Sequence, residues 1–357
     1  MDPDLRTRLG GLSIALLLAT ALVPAQQQAA SPPGLLSNLE SYLEALRAQA
    51  GIPGMSAAVV QDGEIVWERG FGFQNVAARV RATPDTPYLV GDVSATVAAV
   101  LLLQCVEEHR ITLDDPLTTY ASYPEPGVTL RQVLSHTGTD NFVYSPERLA
   151  QLGPVLEWCV PQPYVKTVAH RILNRLAMKD SVPGTSLAAA DPGIPDDLFD
   201  AADLDRYRTV VERMAVPYKV DGRGRAERNE QPPAPITATG GLVSTVRDLA
   251  RLEKAIDSNL LLHDDTLQEA WNPVGVRDGV AGPMGLGWFV QPHRAGRVVW
   301  HFGLVPNAYS SLVLKLPDRH LAFILLANSA GLSAPFQLGS GDVTRSLFAT
   351  LFLRLAS

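Results

Sequence analysis

The chain has 357 residues, of which 46% are hydrophobic, 19% charged and 7% aromatic, which is enough apolar material for a substantial core and excludes wholesale disorder. Thirty basic residues against 37 acidic ones give a net charge of −7. This balance argues against a nucleic-acid partner, which would need a basic surface to neutralise phosphates. The lysines number only five, so chemistry that needs a lysine amine has few sources: Lys166, Lys179, Lys219, Lys254 and Lys315.

The amino terminus is typical of an export signal. Arg6 and Arg8 precede an apolar run that ends near Ala25, and a polar stretch follows. We predict a signal peptide over residues 1–25, a short linker over residues 26–34, and an exported protein, periplasmic or secreted. The alternative is an N-terminal membrane anchor, because the apolar run is at the short edge of what spans a bilayer. No later segment of the sequence is long and apolar enough to span one.

The two cysteines, Cys105 and Cys159, lie in helical patterns among apolar neighbours. We interpret them as buried thiols, with a disulfide in an oxidising compartment as the alternative. The seven histidines are scattered and form no cluster with the cysteines. The sequence therefore predicts no metal site and no cofactor.

The first part of the chain predicts a helix, a hairpin and a second helix. Leucines at helical spacing from Leu35 to Leu46 indicate an amphipathic helix, which Gly51 and Pro53 end. Two apolar runs, Met55–Val60 and Ile65–Phe71, are joined through Asp62-Gly63, and this predicts a β-hairpin because glycine tolerates a positive φ. The continuous apolar character of Val93–Glu108 predicts a central, buried helix.

The predicted secondary structure changes twice in the middle and end of the chain. Residues 114–179 are mostly helical in pattern, and residues 182–235 read as long loops with one short helix near Leu204–Met214. A further helix is expected to begin at Ser244 or Thr245. The last predicted elements are strands at Leu286–Val290, Val298–His301, Ala308–Lys315 and Leu321–Ala327, and a helix at Val343–Leu355.

Strands at both ends with helices between them indicate that the two termini build one sheet. We predict an α/β (α+β) fold: an antiparallel sheet built from both chain ends and flanked by helices, plus a mostly helical lobe. Residues 35–357 would form a single domain. Its sheet lobe would comprise residues 35–112 and 236–357, and its helical and loop lobe residues 113–235.

Ten short segments, in order from about Gly51 to Asn328, carry a resemblance to a known family. They are GIPGMSAAVVQDGEIVWERGFG, TPDTPYLVGDVS, ITLDDPLTTY, VTLRQVLSHTG, YSPERLAQLGPVLEWC, RILNRLAMKDS, ATGGLVSTVRDLARL, GLGW, WHFG and FILLANS. The chain resembles the serine β-lactamase and penicillin-binding protein superfamily, and most of all its class C-related esterases and peptidases. The resemblance implies a two-lobed fold with a cleft in which a serine attacks a carbonyl carbon.

The first motif of that family, S-x-x-K, is degenerate here. In the family the serine is the nucleophile and the lysine takes its proton. The matching positions hold Asp92 and Ala95, and no S-x-x-K occurs anywhere in the chain. A slipped register would make Ser94 the nucleophile, but its partner would then be Val97, which accepts no proton. We interpret Ser94 as a capping or packed hydroxyl.

The second motif, Y-x-N, matches Tyr144-Ser145-Pro146, where a proline replaces the substrate-orienting amide. Tyr144 is interpreted as an aromatic ring packed at the lobe boundary, with ligand contact as the alternative.

The third motif, Lys/His-Thr-Gly, matches His301-Phe302-Gly303, where a ring replaces the hydroxyl. His301 is interpreted as a partly buried strand histidine, again with ligand contact as the alternative. The resemblance implies that Leu304 donates a backbone N–H to an oxyanion hole.

Asp92 has three interpretations. The favoured one is a carboxylate that accepts backbone N–H groups at a helix start and complements the helix dipole, which would lower its pKa. The others are a nucleophile or general base, and a binding group for a cationic ligand.

Loss of a serine nucleophile alone lowers turnover by about 10⁶-fold. The nucleophile, its lysine base and the substrate-orienting amide are all replaced here, which indicates that the chain has lost acyl transfer. We predict an exported, non-catalytic member of the superfamily. Its retained cleft would bind a peptide or cell-wall-like ligand through Asp92, Tyr144, His301 and Leu304, by strand addition along residues 301–305. One alternative is a hydrolase with relocated catalytic groups; another is an interaction protein that works through residues 182–235. The sequence does not determine the oligomeric state.

Overall fold

A computed structural model describes residues 33–138, 141–189, 198–275 and 281–357. The predicted signal peptide and the linker as far as residue 32 lie outside the described residues, so export stays a prediction. Residues 33 and 34, assigned to the linker from the sequence, open the first helix. The proposed boundaries between the two lobes also stay predictions.

The described residues form twelve strands and ten α-helices. The strands are β1 Gly54–Gln61, β2 Glu64–Asn75, β3 Val80–Arg81, β4 Tyr88–Leu89, β5 Val182–Pro183, β6 Tyr218–Val220, β7 Ala226–Arg228, β8 Leu242–Ser244, β9 Phe289–His293, β10 Gly296–Val305, β11 Tyr309–Leu316 and β12 Leu321–Ala327. The helices are α1 Pro33–Gln49, α2 Ser94–Glu107, α3 Leu130–Leu134, α4 Pro146–Ala150, α5 Gly153–Cys159, α6 Tyr164–Val168, α7 Ala201–Glu212, α8 Val246–Asp257, α9 Asp264–Ala270 and α10 Leu347–Leu355.

The two ends of the chain build one antiparallel sheet, as predicted. Its strand order is β3-β2-β1-β12-β11-β10-β9, and β1 pairs with β12 so that Met55 lies opposite Ala327. The predicted hairpin joins β1 to β2 through Asp62 and Gly63, which have φ values of 52° and 77°. A turn with two residues in the left-handed region matches the twist of the strands, and this explains why Asp62-Gly63 predicted the hairpin correctly.

Helices cover both faces of the sheet. α2 and α8 pack on one face, and α1 and α10 pack on the other. Every residue of α2 from Ser94 to Cys105 is buried, which confirms the central helix. Successive residues of β10 alternate between the faces: Val299 packs on the α2 side and Trp300 on the α1 side.

Several predicted elements differ from those in the structure. The strand expected at Leu286–Val290 begins only at Phe289, because the chain turns just before it at Gly287, whose φ is +94°. The region expected to be loops contains β5 and the β6–β7 hairpin besides α7. The last helix begins at Leu347, where Ser346 caps it and a 3₁₀ turn precedes it.

Cys105 and Cys159 form a disulfide, so the interpretation as buried thiols is wrong. The bond joins α2 to α5 across 54 residues of chain. Apolar neighbours indicate that a cysteine is buried, but the distance between two cysteines depends on how their helices pack. A crosslink of this loop length typically stabilises a fold by about 2–4 kcal/mol.

Candidate functional site

The turn before α2 lies against β10. Residues Gly91–Val93 form a single 3₁₀ turn, and Gly91 has a φ of +56°. A Cβ atom at Gly91 would lie 2.7 Å from the backbone nitrogen of Leu304, and one at Gly303 would lie 1.9 Å from the carbonyl oxygen of Val90. Glycine at both positions therefore lets two backbones approach closely, and this approach places Asp92 beside the end of β10.

The carboxylate of Asp92 reaches across to β10. The backbone N–H of Leu304 donates to its Oδ2 at 3.3 Å, and the backbone N–H of Asp92 itself also interacts with the carboxylate. The side chain does not cap α2, which begins after Val93 without a side-chain cap. Asp92 thus accepts backbone N–H groups as expected, but it does not cap α2, and the N–H of Leu304, implied for an oxyanion hole, donates to its carboxylate.

Burial raises the pKa of Asp92 to about 7. The two backbone N–H groups lower it and the negative charge of Glu147 raises it further, but desolvation has the largest effect. The lowered pKa expected from the sequence is thus also wrong. Near neutral pH the group exchanges between a carboxylic acid and a carboxylate.

The neighbours of Asp92 on α2 supply no base. Ala95, at the lysine position of the motif, is buried and presents only a methyl group. The hydroxyl of Ser94 is buried and donates to the carbonyl oxygen of Gly91 at 2.8 Å. Ser94 is therefore a packed hydroxyl rather than a free nucleophile.

Tyr144 packs into a group of rings that we call the aromatic cluster: Phe142, Tyr144, Phe289, Trp300 and Phe302. The ring centroid of Tyr144 lies 5.4 Å from that of Phe289 and 5.2 Å from that of Phe302. Burial, followed by the charge of Asp92, raises the pKa of Tyr144 well above its usual value, so the phenol stays protonated. Phe302, in place of the family's hydroxyl residue, is part of this packing.

Pro146 has a local structural role. It is the first residue of α4, a position where its missing N–H costs no hydrogen bond. The N–H of the preceding Ser145 donates to Nδ1 of His136 at 2.9 Å. The residue that replaces the family's amide thus starts a helix.

His301 is buried, with 1% of its surface exposed. Its Nδ1 is 2.7 Å from the carbonyl oxygen of Phe302, so Nδ1 carries the proton and donates it. Burial lowers the pKa of His301 to about 4, so the ring is neutral at physiological pH. Its centroid is 6.4 Å from that of Tyr144. The structure therefore brings Asp92, Tyr144 and Leu304 together, with the buried His301 ring near that of Tyr144.

His136 is a site residue that the sequence reasoning missed. Its ring centroid lies 4.7 Å from that of Tyr144, and burial lowers its pKa to about 3. His136 adopts a φ of +53°, which is uncommon outside glycine. The segment VTLRQVLSHTG contributed to the resemblance, but nothing in it distinguishes a histidine beside the cleft from one in the core.

The outer edge of β10 is partly engaged by the protein itself. β9 pairs with β10 only as far as Trp300. Since the N–H of Leu304 points towards Asp92 and away from β11, the backbone of Phe302, two residues earlier, points the same way. The Phe302 carbonyl is taken by His301 and the Leu304 N–H by Asp92. The Phe302 N–H and the Leu304 carbonyl lie on the same side of the strand, beyond the end of the β9 pairing.

The sequence profile of the Beta-lactamase family matches residues 39–341. The chain belongs to the beta-lactamase family. The octameric penicillin-binding protein homologue from Pyrococcus abyssi has a similar fold, with a TM-score of 0.69 and 21% identity, covering 89% of this chain and 77% of that one.

Two curated relatives show how much length is shared. PbpX of Bacillus subtilis (strain 168), which bears a penicillin-binding protein name, is 22% identical over 267 residues, or 71% of this chain and 65% of that protein. The mitochondrial serine beta-lactamase-like protein LACTB of Mus musculus is 30% identical over 130 residues, or 32% of this chain and 24% of that protein. The matches thus span less than two thirds of either relative's length.

Within the described parts of this beta-lactamase-family chain, no helix is long and apolar enough to cross a membrane.

Replacing Asp92 by asparagine tests the buried carboxyl. The folded protein holds the Asp92 proton more tightly than the unfolded chain does, since the pKa rises from 3.8 to about 7. This group therefore stabilises the fold fully below pH 3.8 and loses that contribution as the pH rises through about 7. The introduced amide stays neutral at every pH, so we expect D92N to gain about 1–3 kcal/mol of stability over the natural protein between pH 5 and pH 8, as followed by urea unfolding.

The matched control is Asp318→Asn, because Asp318 is an exposed aspartate in the β11–β12 turn. This variant should follow the natural protein across the same pH range. If D92N and D318N behave alike, the Asp92 carboxyl is not desolvated.

Proposed function

We propose that this beta-lactamase-family chain is an exported, non-acylating member whose cleft binds a peptide or cell-wall-like ligand. One observation carries the proposal: the carboxylate at the nucleophile position, Asp92, accepts the N–H of Leu304. In an acyl-transfer site this N–H would donate to the substrate, whereas here it donates to the protein's own Asp92 carboxylate.

The chemistry of the first step lacks its components. A serine nucleophile needs a base within hydrogen-bond reach, and Ala95 offers none. The nearby Ser94 hydroxyl is committed to the Gly91 carbonyl. Lys315 cannot act as the base on the cleft side, because it is buried in an ion pair with Glu253 and Asp257 on the core side of the sheet.

The electrostatics of the second step are also unfavourable. An acyl-transfer enzyme stabilises the developing oxyanion with N–H donors aimed at it. The Leu304 N–H faces the Asp92 carboxylate instead, and a negative charge at this place repels an oxyanion. Ionised Asp92 would therefore raise the barrier that the family's site lowers.

The same features suit a ligand with a free amino group. A desolvated carboxyl with a pKa of about 7 ionises when a cation approaches, because the cation lowers that pKa. The negative charge of Glu147 opposes ionisation of Asp92 but attracts the same cation. The Phe302 N–H and the Leu304 carbonyl remain for one pair of backbone hydrogen bonds to an extended peptide. We therefore propose a peptide that places an ammonium group beside Asp92.

Export is supported by two features. The basic residues and the apolar run at the amino terminus are typical of a secretory signal. The Cys105–Cys159 disulfide is characteristic of proteins in oxidising compartments.

Covalent labelling tests the loss of acylation. We expect no adduct by intact mass after the natural protein is incubated with a fluorescent penicillin or a fluorophosphonate. The triple variant Asp92→Ser, Ala95→Lys, Pro146→Asn restores the family's residues and serves as the comparison. A stable adduct on the natural protein would contradict the proposal, whatever the triple variant does.

Calorimetric titration tests the ligand chemistry. A short cell-wall stem peptide with a free amino group should bind roughly tenfold more tightly than its N-acetylated form, which corresponds to about 1.4 kcal/mol. At pH 6 the binding should release protons, because the cation favours ionised Asp92. In D92N both the preference and the proton release should disappear. Equal binding of the two peptides by the natural protein would exclude the role of Asp92.

A second candidate function is favoured by the Asp92 pKa. A carboxyl that titrates near neutrality is suited to general acid–base catalysis, so a hydrolase that activates water through Asp92 is the competing proposal. Turnover of ester or D-amino peptide substrates that D92N loses would favour it over the binding function.

A further inference from the structure

A small internal cavity lies below the cleft, between α2, α8 and the β10–β11 pair. Its volume is about 10 Å³, and its polar lining comes from Thr96, Glu253, His301 and Lys315. Three of these side chains carry groups whose hydrogen bonding is incomplete, and each group limits what the cavity can hold.

His301 needs a hydrogen-bond donor. Its Nδ1–H is used by the carbonyl oxygen of Phe302, so Nε2 carries the lone pair. No group among the described residues bonds to this buried Nε2. A buried acceptor without a partner costs about 1–3 kcal/mol, so a donor at this place would be strongly favoured.

Glu253 can accept a further donor, and Lys315 has one N–H left to donate. Glu253 Oε2 lies 2.6 Å from Lys315 Nζ in an ion pair, and a carboxylate oxygen can accept a second donor. Lys315 is 2% exposed and directs one N–H to Asp257 at 2.6 Å. An ammonium group has three donors, so the pairs with Glu253 and Asp257 leave one free for a third partner. Thr96 already donates to the carbonyl oxygen of Val93 and can only accept.

The size and polarity of the cavity determine what it can hold. A cavity of about 10–15 Å³ holds one water molecule, and such a water needs two to four polar partners. A metal ion does not fit, because the Lys315 ammonium shares the cavity. The described residues also contain no group of three metal-ligating side chains. An organic ligand is too large.

We propose that this cavity is a binding site for one structural water molecule. The water donates one hydrogen to His301 Nε2 and the other to Glu253 Oε2, and it accepts a hydrogen from Lys315. The buried His301 Nε2 thereby gains a hydrogen-bond donor.

The water links the buried ion pair to the cleft. By hydrogen-bonding to Nε2 it holds His301 as the Nδ1–H tautomer, and that N–H engages the Phe302 carbonyl on the outer edge of β10. His301 is therefore a positioning residue, in contrast to the ligand contact considered from the sequence. Residues on the core side of the sheet would thus control one of the edge groups that a peptide could use.

Nuclear magnetic resonance of the full chain labelled with ¹⁵N-histidine tests the tautomer and its partner. We expect His301 to show a protonated Nδ1, a hydrogen-bonded unprotonated Nε2, and a cross-peak to water with a long residence time. A near-atomic crystal structure should show one peak within hydrogen-bonding distance of Nε2. An empty cavity, or a protonated Nε2, would overturn the proposal.

A cavity-filling variant supplies the matched comparison. Val313→Ile adds a methyl group at the cavity wall and should expel the water, shift the His301 Nε2 resonance and remove the water cross-peak. Val243→Ile adds the same volume at a buried β8 position away from the cavity and should leave the Nε2 resonance unchanged. Equal Nε2 shifts in the two variants would overturn the proposal. If V313I does not fold, the measurements on the natural protein decide alone.

Discussion

The close contact between the Gly91 turn and the end of β10 determines the chemistry of this site. Two glycines let the backbones meet, and Ser311 fastens the contact by donating its hydroxyl to the Val90 carbonyl at 2.6 Å. In an acyl-transfer enzyme this approach would bring a nucleophile to the oxyanion donors. Here the same approach places the Asp92 carboxylate within hydrogen-bonding distance of the Leu304 N–H. The fold of the family is kept, and a carboxylate stands where the family's motif has a neutral serine.

Burial explains why the site departs from local expectation. At an exposed helix start a carboxylate is stabilised by backbone dipoles, and its pKa falls. Asp92 is close to such dipoles, but desolvation raises its pKa more than they lower it. His301 and His136 are neutral for the same reason, since burial lowers their pKa values. Both rings are therefore uncharged at neutral pH.

Much of the fold could be predicted from local patterns. Alternating and continuous apolar runs located β1, β2, α2 and β12, and the Asp62-Gly63 turn located the hairpin, because each depends on neighbours in sequence. The Cys105–Cys159 bond depends on the packing of two helices, and the pKa of Asp92 depends on what covers it. Neither the disulfide nor this pKa can be predicted from residues that are neighbours in the sequence. The motif positions 92, 144 and 301 could be found from the resemblance, whereas His136 could not be distinguished from a core histidine.

The chemistry of this site depends on the desolvated Asp92 carboxyl, which faces the Leu304 N–H. The most direct measurement is a nuclear magnetic resonance titration that follows the Asp92 carboxyl carbon and the Leu304 amide together. We predict that both signals move with one midpoint near the pKa of about 7, because deprotonation strengthens the hydrogen bond between them. A carboxyl carbon that titrates near 3.8, with an amide signal that does not follow it, would contradict the account.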